Sequence, residues 1–129
     1  MSLTVKLIVR NKEYNLIQFS YSLKQETDNF GRPSFNIQCG FIHFVVNSGE
    51  NTHLVESISE TDNPIEGKII YYDVISDQKV KEIEFFNGHI IFYEECFHAD
   101  AAAICTEKIT ISAQNIRIGK DKFNNNWLL

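Results

Sequence analysis

The residues best suited to chemistry in this chain are two cysteines and a histidine near position 100, namely Cys96, His98 and Cys105. Thiolate and imidazole groups are ligands that Zn²⁺ prefers, and Glu94 would complete a metal corner with them. The spacing matches no standard zinc pattern. A half-buried cysteine beside a surface histidine is much the commoner arrangement. We therefore predict no bound metal and no cofactor.

Nucleophilic and acid–base catalysis find equally little support. A catalytic cysteine needs a contacting base and an electropositive setting, and the sequence places no cysteine in one. Glu94 and Glu95 point to opposite faces of a strand, so they cannot flank one bond. Glu82 and Glu84 share a face but alternate with lysines, which is typical of a solvated strand. With no Gly-rich phosphate loop and no nucleophile elbow, we predict that the protein is not an enzyme.

The charge balance excludes further classes of function. Twelve Lys and Arg stand against 17 Asp and Glu, a net charge of −5. Proteins that bind nucleic acids usually carry a basic stripe, so we expect no nucleic-acid partner. No apolar run approaches the roughly 20 residues of a spanning helix, which predicts no membrane insertion. The N-terminus lacks the features of a signal peptide. We expect synthesis in the cytoplasm and any export to proceed without a signal peptide.

The elements that would position these residues are mostly strands. The 129 residues suit a single domain over 1–129, and the 12% aromatic content favours strand. Period-two alternation predicts about seven antiparallel strands, which indicates a mainly β protein, a barrel or a sandwich, with one short flanking helix over 51–60. The predicted strands are 3–9, 17–24, 35–47, 67–75, 79–86, 89–98 and 106–118.

Local signals refine this outline at three points. Asn87-Gly88 predicts a two-residue hairpin turn between 79–86 and 89–98, because a type I′ turn needs positive φ at both central residues. Asn51 or Thr52 is a candidate N-cap for the helix. A change of apolar phase late in the last strand predicts a bulge near 114–115.

Two features of the sequence indicate functional surfaces. Segments 41–46 and 90–93 are apolar on both faces, whereas an antiparallel sheet usually turns one face to water. The helix can cover one such patch and a neighbouring subunit the other. The loop 25–34 is polar, about ten residues long, and holds one aromatic, Phe30; loops of this length tend to carry function.

An ordered set of short motifs resembles the Hcp (TssD) family of type VI secretion tube proteins, in its Bacteroidetes form. The similarity spans nearly the whole chain. The motifs are Tyr21-Ser22-Leu23-Lys24, Asp28-x-x-Gly31-Arg32-Pro33-Ser34, Asn36-Ile37-x-x-Gly40, Asn87-Gly88, Ile111-Ser112-Ala113-Gln114, Ile116-x-Ile118-Gly119 and Phe123-x-x-x-Trp127.

The resemblance implies a β-barrel with a flanking helix, assembled into a hexameric ring. Rings of this family stack into a tube that carries effector proteins, bears a spike at its tip and is driven out of the cell by a contractile sheath. The family is structural, so it implies no catalytic residues.

On this basis two sets of site residues are predicted. A ring needs one patch to meet a different patch, and we assign the subunit interface to the two-sided strand. The ring-stacking contact is assigned to the polar loop. A small β-barrel that binds an apolar ligand is the alternative, and a monomeric state would favour it. The predicted residues are Phe41, Ile42, Phe44 and Val46 for the interface, and Asp28, Phe30, Gly31 and Arg32 for stacking.

Overall fold

A computed structural model describes residues 2–38, 40–49, 52–59, 63–100 and 104–124, with side chains left out at 34–38 and 59. The elements are β1 (Leu3–Val9), β2 (Lys12–Tyr21), β3 (Lys24–Thr27), β4 (Pro33–Gln38), β5 (Phe41–Asn47), α1 (His53–Glu56) with a 3₁₀ turn (Ser57–Ser59), β6 (Ile65–Asp73), β7 (Lys79–His98), β8 (Ile104–Ile118) and β9 (Asp121–Asn124).

Six strands close into an antiparallel barrel. Their order is β5-β2-β1-β6-β7-β8, and β8 pairs back onto β5. Closure satisfies the backbone groups that an open sheet would leave at its edges. β9 adds to the outside of β8, and β3 and β4 form a separate two-stranded sheet. The mainly β barrel with one short helix is therefore confirmed, and the sandwich is not the arrangement.

The first hairpin, between β1 and β2, has a two-residue turn. Val9 faces Lys12, so Arg10 and Asn11 are the two central residues, with φ of 50° and 63°. Positive φ at both positions is the type I′ geometry that matches strand twist. The predicted third strand, 35–47, is divided in two at Gly40, whose φ of 103° few other residues adopt.

The predicted hairpin at Asn87-Gly88 is wrong, because β7 runs unbroken through it. Asn87 does take positive φ, at 53°, but uses it in a bulge: Ile65 faces Gly88 while Gly67 faces Phe85, so the register with β6 shifts. A Cβ on Gly88 would lie 3.1 Å from a carbon of Phe85. The glycine therefore permits close packing inside the barrel.

Near 114–115 the inward-facing positions of β8 change from one alternating set to the other, as predicted, and those of β7 change at the same level. Ala113 and Ile116 are both fully buried on β8, and Phe85 and Gly88 are buried opposite them. Both strands switch their inward phase at the same level, so the register between them continues unchanged there. At this level the register shift is therefore seen between β7 and β6, whereas the β7–β8 register shifts further along, between Ile90 and Phe92.

The helix is shorter than the predicted span of 51–60. One α-helical turn is followed by the 3₁₀ turn, and Leu54 packs into the barrel core at one end. Thr52 stands at the N-cap but makes no side-chain capping hydrogen bond. Asn51 lies outside the described residues. The helix is held by the burial of Leu54, because a single turn has little stability of its own.

The barrel interior is filled by side chains. Each barrel strand other than β2 contributes bulky side chains that are fully or nearly fully buried there. As far as the described residues show, a small barrel packed in this way leaves no room for a ligand inside, which disfavours the ligand-binding alternative. The largest of the buried side chains are those of Leu7, Ile42, Phe44, Val46, Ile69, Ile83, Phe85, Ile109, Ile111 and Ile116.

Candidate assembly surfaces

The polar segment 25–34 forms a hairpin rather than an irregular loop. β3 pairs with β4 from Lys24 opposite Gln38 to Thr27 opposite Pro33. Every residue of β3 is exposed. An isolated two-stranded hairpin is only marginally stable in water. The hairpin therefore presents a surface that a partner would stabilise.

Asp28 fixes the tip of this hairpin. Its Oδ1 accepts hydrogen bonds from the backbone N–H groups of Arg32 at 3.0 Å and Phe30 at 2.8 Å, and its Oδ2 accepts one from Arg32 Nε at 2.9 Å. The backbone donors of Arg32 and Phe30 are the main reason that the pKa of Asp28 lies below its ordinary value. The ionised carboxylate thus organises the turn from within.

The same turn displays an aromatic ring. Gly31 has φ of +79°, in the left-handed region, and donates its N–H to the carbonyl of Asp28 at 3.0 Å. Phe30 is 82% exposed, and the Arg32 guanidinium lies 5.1 Å from its ring centroid. The structure therefore brings the four predicted stacking residues together in one ordered tip.

The predicted subunit interface is corrected at three of its four residues. Strand β5 alternates strictly, and Ile42, Phe44 and Val46 point into the core with at most 2% of their surface exposed. They have no accessible surface to offer a neighbour. Phe41 points outward and is 52% exposed. The two-sided apolar pattern did not reveal which face turns inward, because pairing with β2 and β8 decides that.

The outward face of β5 is a shallow groove with mixed chemistry. His43 Nδ1 and Thr110 Oγ1 lie 2.9 Å apart across the β5–β8 pair. Gln18, Val45 and Lys108 line the groove beside them. The face has polar and apolar parts, which is typical of a surface that meets another protein.

The cysteine and histidine near position 100 do not converge. Phe97 faces Cys105 while Cys96 faces Thr106, so the two cysteines lie on opposite sides of the β7–β8 pair. Cys105 Sγ donates to Glu95 Oε1 at 3.3 Å, and this hydrogen bond is the main cause of its raised pKa. Such a thiol stays protonated. In the part of the chain that the structure describes, no three His, Cys, Asp or Glu side chains are grouped to hold a metal ion.

A polar cluster that the sequence analysis missed lies on the inner side of the same pair. Tyr93 donates its hydroxyl to the carboxylate of Glu107, which is only 6% exposed, and lies 3.1 Å from Glu95 Oε2. Burial, followed by the hydrogen bond to Glu107, raises the pKa of Tyr93. Burial and then the Glu107 charge also raise that of Tyr14. The inward phase of Ile109 gives the signal that would have placed Glu107 inside.

These features belong to a mainly β barrel protein with surfaces suited to contact other chains. It has a filled barrel, an ordered projecting tip and exposed apolar side chains on β7. Comparison with known proteins places it further. The family model "TssD: Hemolysin coregulated protein Hcp (TssD)" matches residues 1–128. The chain belongs to this family, and it is a tube protein of the type VI secretion system.

Solved structures agree with the assignment. Hcp1 from Flavobacterium johnsoniae is 32% identical, with a TM-score of 0.87 over 95% of this chain and 99% of that one. Hcp1 from Salmonella typhimurium (9% identity, TM-score 0.73, 90% and 85% covered) and Hcp3 from Pseudomonas aeruginosa (6%, 0.67, 99% and 100%) share the fold. The comparison with curated proteins finds no match.

Within the described ranges, no helix has the length and apolar character needed to cross a membrane.

Proposed function

We propose that this tube protein assembles as hexameric rings that stack into the inner tube of the secretion system, and that residues 1–129 act as one tube-protein domain. The family match over 1–128 is the observation that carries the proposal. The tube then holds effector proteins, meets spike and sheath proteins, and leaves the cell without a signal peptide. The protein uses no cofactor and no catalytic residue in this role.

The hairpin tip supplies the contact between rings. Phe30 and Arg32 are held in place by Asp28 before any partner binds, so ordering the tip adds little entropic penalty to stacking. An exposed aromatic with an arginine over its face is the type of anchor found at interface hot spots. Phe41 remains our proposed contributor to the lateral subunit interface, since it is the outward-facing member of the predicted set.

Light scattering on the purified chain tests the ring. A particle of six times the 14.9 kDa chain mass supports the proposal. A monomer at every concentration would contradict it and would restore the small-barrel alternative.

A double variant tests the tip. Phe30→Ala with Arg32→Glu should leave the ring mass unchanged and abolish tubes and secretion of the protein. The matched control is Ile75→Ala with Lys12→Glu, which alters an exposed apolar residue and an exposed cation elsewhere. If the tip variant forms tubes as well as the control does, the stacking assignment is wrong.

A further inference from the structure

Strand β7 extends past β8 at its N-terminal end and past β6 at its C-terminal end. It pairs with β6 from Lys79 to Gly88, and with β8 from Ile83 to His98. Within the described residues, 79–82 therefore have a strand on one side only, and 89–98 have one on the other side only. Open strand edges invite pairing or burial by another chain. The two open edges lie at opposite ends of one strand.

The C-terminal end is an acidic and apolar arm, which we define as residues 92–100 and 104–108. It carries exposed Phe92, Phe97 and Ile104, and Phe97 is 63% exposed. Three exposed carboxylates, Glu94, Glu95 and Asp100, stand against one exposed lysine, Lys108, in this arm. The fourth carboxylate, Glu107, is buried and accepts the Tyr93 hydroxyl.

The N-terminal end borders a basic face on the outside of the barrel. Lys68, Glu84, Arg117 and Lys122 follow one another in register across β6, β7, β8 and β9. The face has five cations against three carboxylates, although the whole chain is acidic. The cations are Lys6, Lys68, Lys79, Arg117 and Lys122, and the carboxylates are Glu66, Glu82 and Glu84.

The cations of the basic face are held by local contacts. Arg117 and Lys122 lie 5.6 and 5.3 Å from the Phe86 ring centroid, and Arg117 pairs with Glu84 at 3.6 Å. Glu82 lies 3.5 Å from Lys79. These contacts fix the side chains without neutralising all the positive charge. The face is therefore arranged in advance for an anionic partner.

A groove opens where the basic face meets the free edge of 79–82. It is lined by Val80, which is 47% exposed, and by Ile118 and Gly119 at the end of β8. Three cations, Lys79, Lys81 and Arg117, line it as well, against two carboxylates, Glu82 and Glu84. The lining is therefore apolar in part and cationic on balance. An aromatic side chain close to carboxylates matches both properties. Phe97 has Glu95 on its own face of β7, and Asp100 follows three residues later.

We propose that the acidic arm of one copy docks on the basic face of the next copy, with Phe97 in the groove beside Val80. A contact within one chain is excluded because both patches lie on the same unbroken strand, β7, which holds them apart at its two ends. The contact joins two different patches and is therefore heterologous, which is the type that generates rings. This inference rests on the proposed function and adds a lateral contact to the one proposed for Phe41.

Charge reversal with rescue tests the contact. Lys79→Glu with Lys122→Glu should reverse the basic face, and Glu94→Lys with Asp100→Lys should reverse the arm. Each pair should raise the concentration needed for ring assembly by about tenfold at low salt, and less at high salt because the charges are screened. The chain with all four changes should return to within about threefold of the unmodified chain, because attraction is restored.

Two controls separate this effect from unfolding or general charge. Lys12→Glu makes the same change in net charge as Lys79→Glu alone, but away from both patches, and should assemble as the unmodified chain does. Phe97→Ser should weaken assembly, whereas Ile75→Ser, at another exposed apolar position, should not. Thermal unfolding of each variant under monomeric conditions should match that of the unmodified chain.

The outcomes distinguish this inference from the proposed function. If the unmodified chain forms hexamers and both reversals assemble as well as it does, or the combined variant is not rescued, the arm contact is wrong and the ring stands. If the unmodified chain never assembles, the proposed function fails and this contact fails with it.

Discussion

Replacing Tyr93 by phenylalanine removes one hydroxyl from the buried cluster and should destabilise the barrel. The hydroxyl donates to Glu107, a carboxylate that is 6% exposed and would lose this donor. A hydrogen bond to a charged group contributes about 1.5–3 kcal/mol, and a buried charge left short of donors loses stability of that order. The phenyl ring keeps the packing, so the whole effect should come from the lost hydrogen bond.

The expected shift is measurable. At about 2.1 cal/mol/K per residue, unfolding of a chain this size has an entropy near 0.27 kcal/mol/K, so the loss corresponds to a Tm about 6–11 °C lower. Thermal and denaturant unfolding should be compared at one protein concentration, because assembly adds to the apparent stability. Tyr72→Phe is the control, since Tyr72 lies on the outer face with Lys6 5.5 Å from its ring. A Tm for Tyr93→Phe within 1–2 °C of the control would refute the reasoning (roughly the scatter of surface substitutions).

Three other predictions concern pH, the core and the tip. Because the pKa of Tyr93 is raised in the folded state, its protonated hydroxyl contributes its full stabilisation below the ordinary tyrosine value of 10.0. That contribution decreases above pH 10, so the free energy of unfolding should fall as pH rises further, with a shallower slope in Tyr93→Phe. An equal slope in both chains would contradict this. Phe44→Ala should lower the free energy of unfolding by about 3–5 kcal/mol, and Phe41→Ala by under about 1 kcal/mol in the monomer, measured by denaturant titration. Similar losses would mean that both side chains lie inside. Asp28→Ala should speed amide hydrogen exchange at Phe30 and Arg32 while leaving the Tm unchanged; unaltered exchange would show that the carboxylate does not hold the tip.

Much of the fold could be predicted because period-two alternation reports directly on strands. β1 was predicted with its exact bounds, since its alternation is uninterrupted. Alternation fails where a strand turns its other face inward. The pair Asn87-Gly88 suits a hairpin turn and a bulge equally well, because both arrangements use a residue with positive φ. Only the pairing partners, which lie far along the chain, decide between them.

The site was predicted unevenly for a similar reason. The tip residues, with Asp28 as their centre, are close in sequence, so local turn chemistry and the family resemblance were enough to group them. The choice between Phe41 and Ile42 as the exposed residue depends on β2 and β8, which sequence pattern alone does not locate. Glu107 was missed because a charged residue in an otherwise apolar phase looks solvated until its partner Tyr93 is known.

Electron microscopy of the purified, concentrated chain tests the central claim, that the protein works as a self-assembling tube subunit, most directly. We predict sixfold rings stacked into tubes, with the Asp28–Arg32 tip of each ring in contact with the ring beside it. Dispersed monomers under all conditions, or stacked rings whose tips contact nothing, would contradict the account.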